Sequence, residues 1–116
     1  MTSSFNFVLV LDSNPHFCLG LEILLKKQGI QTYTMTPGPT LPPVQELIDY
    51  LNHNHPDLFL CEHQIFQAYS PQDQQLLESQ QIPLILIAAA EETAPGARLR
   101  KPLNVGTFFQ ELLNLF

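Results

Sequence analysis

Short apolar runs alternate along the chain with segments in which apolar residues recur at helical spacing. Five runs are predicted to be strands, and they cover residues 7–11, 31–35, 58–61, 84–88 and 97–100. The first run, Phe7–Leu11, is continuously apolar, which is typical of a strand covered by helices on both faces. The order of strands and helices therefore predicts βαβ units around a mostly parallel sheet.

Signals at the helix ends support this order. The first helix is predicted to begin at Pro15, with Ser13 or Asn14 as its N-cap, and to stop at Gly29. The other helices are predicted over residues 44–53, weakly from Ser70-Pro71 onwards, and over residues 105–115.

The connection between the fourth and fifth predicted strands is short. Residues 90–97 include Pro95-Gly96 and cannot hold a crossover helix, which usually needs at least about ten residues. An extended link of this length can still span about 27 Å, more than the roughly 17 Å of a five-residue strand. We therefore expect a parallel fifth strand reached by a loop, with the fourth crossover helix missing or reduced to one turn.

Composition narrows the function classes. The 116 residues fit one domain, 1–116, and a net charge of −6 with only five Lys and Arg argues against direct nucleic-acid binding. No apolar run is long enough to cross a bilayer, and the N-terminus lacks the basic region of a signal peptide, so a cytoplasmic location is expected. Cys18 and Cys61 lie in apolar surroundings and are predicted to be buried free thiols.

Three charged side chains follow predicted strands. Asp12 follows the first strand, Glu62 the third and Lys101 the fifth. Because open α/β folds place their sites at the carboxyl ends of parallel strands, we expect these side chains to share one pocket.

Several features, taken in order, carry a resemblance to a known family. They are Asp12, the helix start Asn14-Pro15, the segment Pro56-Asp57-Leu58-Phe59-Leu60-Cys61-Glu62, the run 82–89 and the pair Lys101-Pro102. Their order and spacing resemble the receiver domain of two-component response regulators over essentially the whole chain. The resemblance implies a flavodoxin-like three-layer α/β/α sandwich with a five-stranded parallel sheet in the order 2-1-3-4-5.

The resemblance also implies a phosphorylation site that this chain has largely lost. In the family, two adjacent acids after strand one bind magnesium, and an aspartate after strand three accepts phosphate from a histidine kinase. A hydroxyl residue after strand four and a lysine then contact the phosphoryl group, and an aromatic residue on strand five switches position. Here Ser13 replaces the second acid, Glu62 the phospho-acceptor, Ala88 the hydroxyl residue and Arg98 the aromatic, whereas Asp12 and Lys101 are kept.

These replacements predict a pseudo-receiver, a signalling module that binds proteins without being phosphorylated. Magnesium at Asp12 and Glu62 is expected to be weak or absent, because Mg²⁺ requires near-octahedral oxygen ligands. No other cofactor, no catalysis and no small-molecule substrate are expected. Glu62 either reaches toward Lys101 as an imitation of phosphoaspartate or belongs to an ordinary strand-end ion cluster.

Two other functions remain as alternatives. The first is an atypical but phosphorylatable receiver in a phosphorelay, in which His63 is the candidate acceptor, although a histidine in a loop is expected to be solvated. The second is a metal or redox protein, suggested by Cys61-Glu62-His63 and His53-Asn54-His55, but neither spacing matches a structural zinc motif. His16 is expected to be an exposed residue of the first helical turn rather than a catalytic base.

A partner or homodimer surface is predicted near the C-terminus. The missing helix should uncover part of strand four and one side of the last helix, whose apolar face is broad. The candidate interface residues are Arg98, Arg100, Phe108, Phe109, Leu112 and Phe116.

Overall fold

The computed structural model describes residues 6–103 and 108–114 and contains alternating strands and helices. The strands are β1 (Phe7–Leu11), β2 (Gln31–Met35), β3 (Leu58–Glu62), β4 (Leu84–Ala88) and β5 (Leu99–Arg100). The helices are α1 (Pro15–Lys27), α2 (Val44–Asn54), α3 (His63–Ala68), α4 (Pro71–Glu78) and α5 (Phe108–Asn114).

The five strands form one parallel sheet in the order β2-β1-β3-β4-β5, as predicted. Each face of the sheet carries a separate apolar core. One core joins the sheet to α1 and α5, and the other joins it to α2, α3 and α4. The flavodoxin-like three-layer sandwich is thus confirmed.

The central strand β3 explains why the sheet must be covered on both sides. All five of its residues are buried, with Leu58 and Leu60 in one core and Phe59 and Cys61 in the other. Side chains alternate between the faces of a strand, so a run of apolar residues is stable only where helices cover both faces.

Helix α1 begins and ends at the predicted signals. The side chain of Asn14 accepts hydrogen bonds from the amides of His16 and Phe17, and Pro15 occupies the first turn. At the other end Gly29 adopts φ +76°, its amide donates to the carbonyl of Lys26, and the next amide, that of Ile30, donates to the carbonyl of Leu25. This left-handed glycine stop directs the chain into β2.

No helix separates β4 from β5. Residues 89–98 form turns and irregular structure, and β5 pairs with β4 only at Ile87–Leu99 and Ala88–Arg100. The predicted loop connection is confirmed, and the fifth strand is shorter than expected.

The prediction for His63 was wrong. A short helix, α3, follows β3 directly and precedes the predicted helix at Pro71, so His63 lies in a helix and is only 7% exposed. The apolar residues Ile65 and Phe66 bury this helix against β3 and β4. A six-residue helix is too short to produce a clear periodic signal in the sequence.

Two predicted interface residues are core residues. Phe108 is 1% exposed and Leu112 is fully buried, because both pack into the core on the α1 side of the sheet. The structure therefore corrects the partner-surface prediction for these two side chains. Phe116 and the side chain of Phe109 lie outside the described part of the chain.

Within the described residues, no helix is long and apolar enough to cross a membrane.

Gly29 and Gly20 provide a test of the stop at the end of α1. Replacing Gly29 by alanine is expected to destabilise the fold by about 1 kcal/mol, because a residue with a Cβ is strained at positive φ. The matched change Gly20→Ala, at an exposed helical position with no atom within 4 Å of the added Cβ, should stabilise the fold by about 0.5–1 kcal/mol. Urea unfolding of the two variants measures both effects, and equal signs would contradict this account of the helix end.

Candidate functional site

The carboxyl edge of the sheet brings Asp12, Glu62 and Lys101 together. Asp12 follows β1 directly, Glu62 is the last residue of β3, and Lys101 follows β5. The Nζ atom of Lys101 lies 3.1 Å from Oδ1 and 3.0 Å from Oδ2 of Asp12, and 4.0 Å from Oε2 of Glu62. The lysine is therefore paired with Asp12 first and with Glu62 second.

Asp12 is a fully buried carboxylate. Burial raises its pKa, and the hydrogen bond from the Asn14 amide and the contact with Lys101 offset part of that effect. Its Oδ2 atom has no well-directed hydrogen bond, but the ammonium of Lys101 lies 3.0 Å away and compensates its charge. Asp12 thus depends on Lys101 for its ionised form.

Glu62 is held by the residue that replaces the family's second acid. Both the amide and the hydroxyl of Ser13 donate to Oε1 of Glu62, at 2.9 and 2.7 Å. The glutamate side chain is only 11% exposed. Hydrogen bonds between Ser13 and Glu62 thus join the ends of β1 and β3. Oε1 of Glu62 already accepts two of them.

Lys101 has an aromatic contact that the sequence reasoning missed. Its ammonium lies 4.4 Å from the centre of the Phe17 ring, in the geometry of a cation–π interaction. Phe17 is the third residue of α1, so its position above the strand ends follows from the Pro15 helix start. The ring and the Asp12 carboxylate together hold the lysine, whose side chain is only 19% exposed.

The strand β4 contributes no polar side chain to the pocket, because its last residue is Ala88. It is fully buried at the end of β4, and its carbonyl accepts a hydrogen bond from the Lys101 amide. The Ala88 carbonyl thus helps to hold the backbone of Lys101. The alanine side chain has no hydroxyl that could donate to a bound anion.

Both carboxylates of the pocket already have partners within the chain. Of the two carboxylates, Asp12 is engaged by Lys101 and by the Asn14 amide, and Glu62 by Ser13. Mg²⁺ needs six oxygen ligands in near-octahedral geometry and loses its water reluctantly. A metal ion here would have to displace an ammonium that already neutralises the buried acid.

A second polar cluster lies beside the pocket, in the loop that replaces the missing helix. The Nδ1 atom of His63 lies 2.6 Å from Oε2 of Glu92, and Oε1 of Glu92 accepts the Ala89 amide at 2.9 Å. The amide of Ala89, followed by His63, lowers the pKa of Glu92. An ionised carboxylate can only accept, so Nδ1 of His63 carries the hydrogen.

Arg100 completes this cluster from β5. Its guanidinium donates to the carbonyls of Ala89 and Glu92, both at 2.7 Å, and to that of Ala90 at 3.3 Å. The first part of the loop from β4 to β5, residues 89–92, is thus held by side chains from α3 and β5. We refer to His63, Glu92 and Arg100 as the loop staple.

The two cysteines are free and buried, as predicted. Burial raises the pKa of Cys18 to about 11 and raises that of Cys61 further, so neither thiol is a ready nucleophile at neutral pH. In residues 6–103 and 108–114, no group of three or more His, Cys, Asp or Glu side chains converges to hold a metal ion.

The missing helix leaves a trough along β4. Two adjoining grooves of about 440 and 450 Å³ share Glu78, Leu86 and Gly96 as lining residues. Leu84 and Leu86 form an apolar floor and are only partly buried, and the exposed Arg98 forms part of one wall. We refer to this surface, between α4 and residues 93–98, as the β4 trough.

Comparisons with solved structures identify the fold class. The chain is similar to a response regulator receiver protein from Burkholderia phymatum, with a TM-score of 0.71 and 25% identity over 95% of this chain and 94% of that one. A receiver protein from Pseudomonas putida matches with a TM-score of 0.67 and 19% identity over 97% and 99% of the two chains. The anti-anti-sigma factor PhyR from Bartonella quintana matches with a TM-score of 0.65 and 20% identity, and this chain spans 47% of its length.

No family model matches the sequence, and no curated protein matches it. The chain is therefore similar to receiver domains. These neighbours also support a signalling role for it.

The burial of Asp12 predicts an unusual pH dependence. A raised pKa means that the folded state binds the Asp12 proton more readily than the unfolded state, whose value is near 3.8. This contribution to stability is present at low pH and is lost as pH rises through the folded pKa. The variant Asp12→Asn, which has no such proton, should therefore gain stability relative to the wild-type chain as pH rises from about 4 to 8.

Urea unfolding of both proteins at several pH values provides the measurement. Asp49→Asn removes the same charge from an exposed position of α2 and separates the effect of burial from that of net charge. A wild-type chain that gains stability relative to Asp12→Asn as pH rises would contradict the raised pKa.

The loop staple can be tested at Glu92. Replacing Glu92 by alanine leaves Nδ1 of buried His63 and the amide of Ala89 without their acceptors, which should cost roughly 1–2 kcal/mol. Hydrogen exchange at the Ala89 amide should accelerate in the variant. Glu91→Ala removes the same charge from the neighbouring exposed residue and should change neither quantity. Equal effects of the two substitutions would show that the staple is not what holds the loop.

Proposed function

We propose that this chain is a phosphorylation-independent, receiver-like signalling module that acts by protein–protein interaction in a two-component-type, transcriptional or clock regulatory pathway. The observation that carries the proposal is the internal engagement of Glu62, whose Oε1 atom accepts two hydrogen bonds from Ser13. A phospho-acceptor needs a free carboxylate oxygen aligned with the incoming phosphorus atom. Here that position is held by a longer side chain bound to its neighbour.

The extra methylene of Glu62 supports the loss of phosphoryl transfer. It displaces the carboxylate by more than about 1 Å relative to an aspartate at the same backbone position, and misplacement of that size can cost about a hundredfold in rate. The metal that would offset the charge on a phosphoryl group does not fit the pocket, because Lys101 occupies the space beside Asp12.

The pocket also lacks a group that would transmit phosphorylation. Ala88 has no hydroxyl, Arg98 stands where the family has its switch aromatic, and the loop beyond β4 is fastened by the loop staple. No side chain at the end of β4 could donate a hydrogen bond to a bound phosphate and move toward it. The architecture therefore supports a domain with one permanent conformation at this edge.

The distances favour an ion cluster over mimicry of phosphoaspartate. Lys101 is 3.0 Å from Asp12 and 4.0 Å from Glu62, so the lysine pairs mainly with the acid on β1. Glu62 contributes chiefly by holding Ser13. In this proposal the pocket stabilises the strand ends, and the signalling activity resides on the surface.

The surface that we propose for a protein partner is the β4 trough together with Arg98. Leu84 and Leu86 supply apolar area that a helix would otherwise cover, and Arg98 supplies an exposed cation beside it. Arg100 contributes less, because its guanidinium already donates to three loop carbonyls. The acidic chain as a whole does not suit a nucleic-acid partner.

Incubation with acetyl phosphate and Mg²⁺, followed by intact-mass measurement, tests the proposal. We expect no gain of a phosphoryl group by the wild-type chain under conditions in which an ordinary receiver domain is fully labelled. The double variant Ser13→Asp/Glu62→Asp restores both acids and should gain partial labelling, which also shows that the fold accepts the chemistry.

Stoichiometric labelling of the wild type would contradict the proposal and favour a phosphorelay component. Mapping the adduct would then identify the acceptor as Glu62, His63 or another residue. The buried environment of His63 and its contact with Glu92 argue against attack by that histidine.

A further inference from the structure

The strand β2 is an open edge of the sheet. Among residues 6–103 and 108–114 it pairs with β1 alone, over five residues without a bulge. The amide of Gln31 donates to Asn6 and the carbonyl of Met35 accepts from Asp12, so the odd-numbered residues of β2 direct their backbone groups toward β1. The amides and carbonyls of Thr32 and Thr34 therefore face outward, where the described part of the chain places no strand.

This edge lacks the features with which proteins usually protect an open strand. Its sequence, Gln31-Thr32-Tyr33-Thr34-Met35, contains no charge, no proline and no glycine, and its threonines and tyrosine have high β-propensity. The opposite edge, β5, is only two residues long and is flanked by Arg98 and Lys101. Of the two edges, β2 is therefore the less protected.

Exposed apolar side chains concentrate at the same end of the molecule. In the described part of the chain, the large apolar residues that are most exposed are Leu19 at 56%, Ile23 at 50%, Tyr33 at 46% and Leu76 at 46%. Leu19 and Ile23 share a stripe of α1 with Glu22 and Lys26, which line the groove beside β2. Tyr33 thus lies on the open edge itself, and Leu19 and Ile23 lie on the helix whose residues Glu22 and Lys26 line the groove beside it.

We propose that a second copy of this chain covers the edge by antiparallel pairing of β2 with β2, about a two-fold axis at Tyr33. In this register Thr32 of one copy lies opposite Thr34 of the other. Each such pair exchanges two backbone hydrogen bonds, so the two pairs make four bonds in total. All outward amides and carbonyls of Thr32 and Thr34 in both copies are then satisfied.

In this register the β2 side chains of one copy also suit those of the other. On one face Thr32 of each copy lies opposite Thr34 of the other, and cross-strand threonine pairs are favourable neighbours in antiparallel sheets. On the other face the two Tyr33 rings, each stacked on its own Tyr50 at 4.9 Å between centroids, meet at the axis. No strand residue is charged, so two chains of net charge −6 meet along a neutral strip.

Two-fold symmetry closes this contact. The two sheets join into one of ten strands that ends in the short β5 of each copy, and no further β2 edge remains. The two α1 helices become neighbours on one face, where Leu19 and Ile23 add apolar contact. The β4 trough lies at the far end of each sheet and stays open, so the pairing does not depend on the function proposed for the trough.

Disulfide formation tests the register. The variant Tyr33→Cys should cross-link into a dimer under mild oxidation, because opposed residues at a non-hydrogen-bonded pair have Cα atoms about 4.5 Å apart, within the disulfide range. Thr32→Cys is the matched control, since its nearest equivalent is a diagonal neighbour about 7–8 Å away. Native Cys18 and Cys61 are buried and leave the new thiol as the reactive one.

Sedimentation equilibrium tests the association itself, from about 10 µM to about 1 mM, where small interfaces dissociate. The wild type should approach twice the monomer mass with rising concentration. Tyr33→Lys, which places two like charges at the axis, and Thr34→Pro, which removes an outward amide, should each weaken association at least about tenfold. Leu76→Lys adds the same charge at an equally exposed position away from the edge and should have no effect.

Circular dichroism first establishes that each variant is folded. A wild-type chain that stays monomeric throughout, or a dimer that tolerates both edge substitutions, would overturn the proposal. So would equal cross-linking of Tyr33→Cys and Thr32→Cys, which would indicate another register or random collision.

Discussion

The ion pair between Lys101 and Asp12 is the interaction on which the carboxyl edge of this domain depends. It joins the chain after β5 to the chain after β1, across the two strands that lie between them in the sheet. Asp12 is fully buried, and an ionised carboxylate without a cation would be very costly there. Because β5 has only two residues, the lysine contributes to its docking what a longer strand would gain from backbone pairing.

The same ion pair also makes the pocket better suited to stabilising the fold than to carrying out a reaction. Lys101 is held by Asp12 and by the Phe17 ring, and Glu62 is held by Ser13, so the polar side chains satisfy one another. A site for phosphoryl transfer needs unsatisfied groups aimed at the place where charge develops. Here Ser13 and Glu62 are hydrogen-bonded to each other instead.

The features that remain available for function lie away from this edge. No helix covers Leu84 and Leu86 in the β4 trough, and the loop staple holds residues 89–92 beside it. At the opposite end, the outward backbone groups of β2 have no strand partner within the described residues. The β4 trough lies next to one edge of the sheet and β2 forms the other edge, so the two proposed contact surfaces are at opposite ends of one sheet.

The sequence by itself determined the elements whose signals are local or periodic. Apolar runs placed the strands, Asn14-Pro15 and Gly29 bounded α1, and the shortness of residues 90–97 excluded a crossover helix. Only the tertiary structure decided which polar groups pair. His63 is buried because α3 folds back onto β3 and because Glu92, 29 residues away, supplies its acceptor. Phe108 and Leu112 are core residues because α5 packs against α1 and the sheet. Such choices depend on distances between segments remote in sequence, which no local pattern encodes.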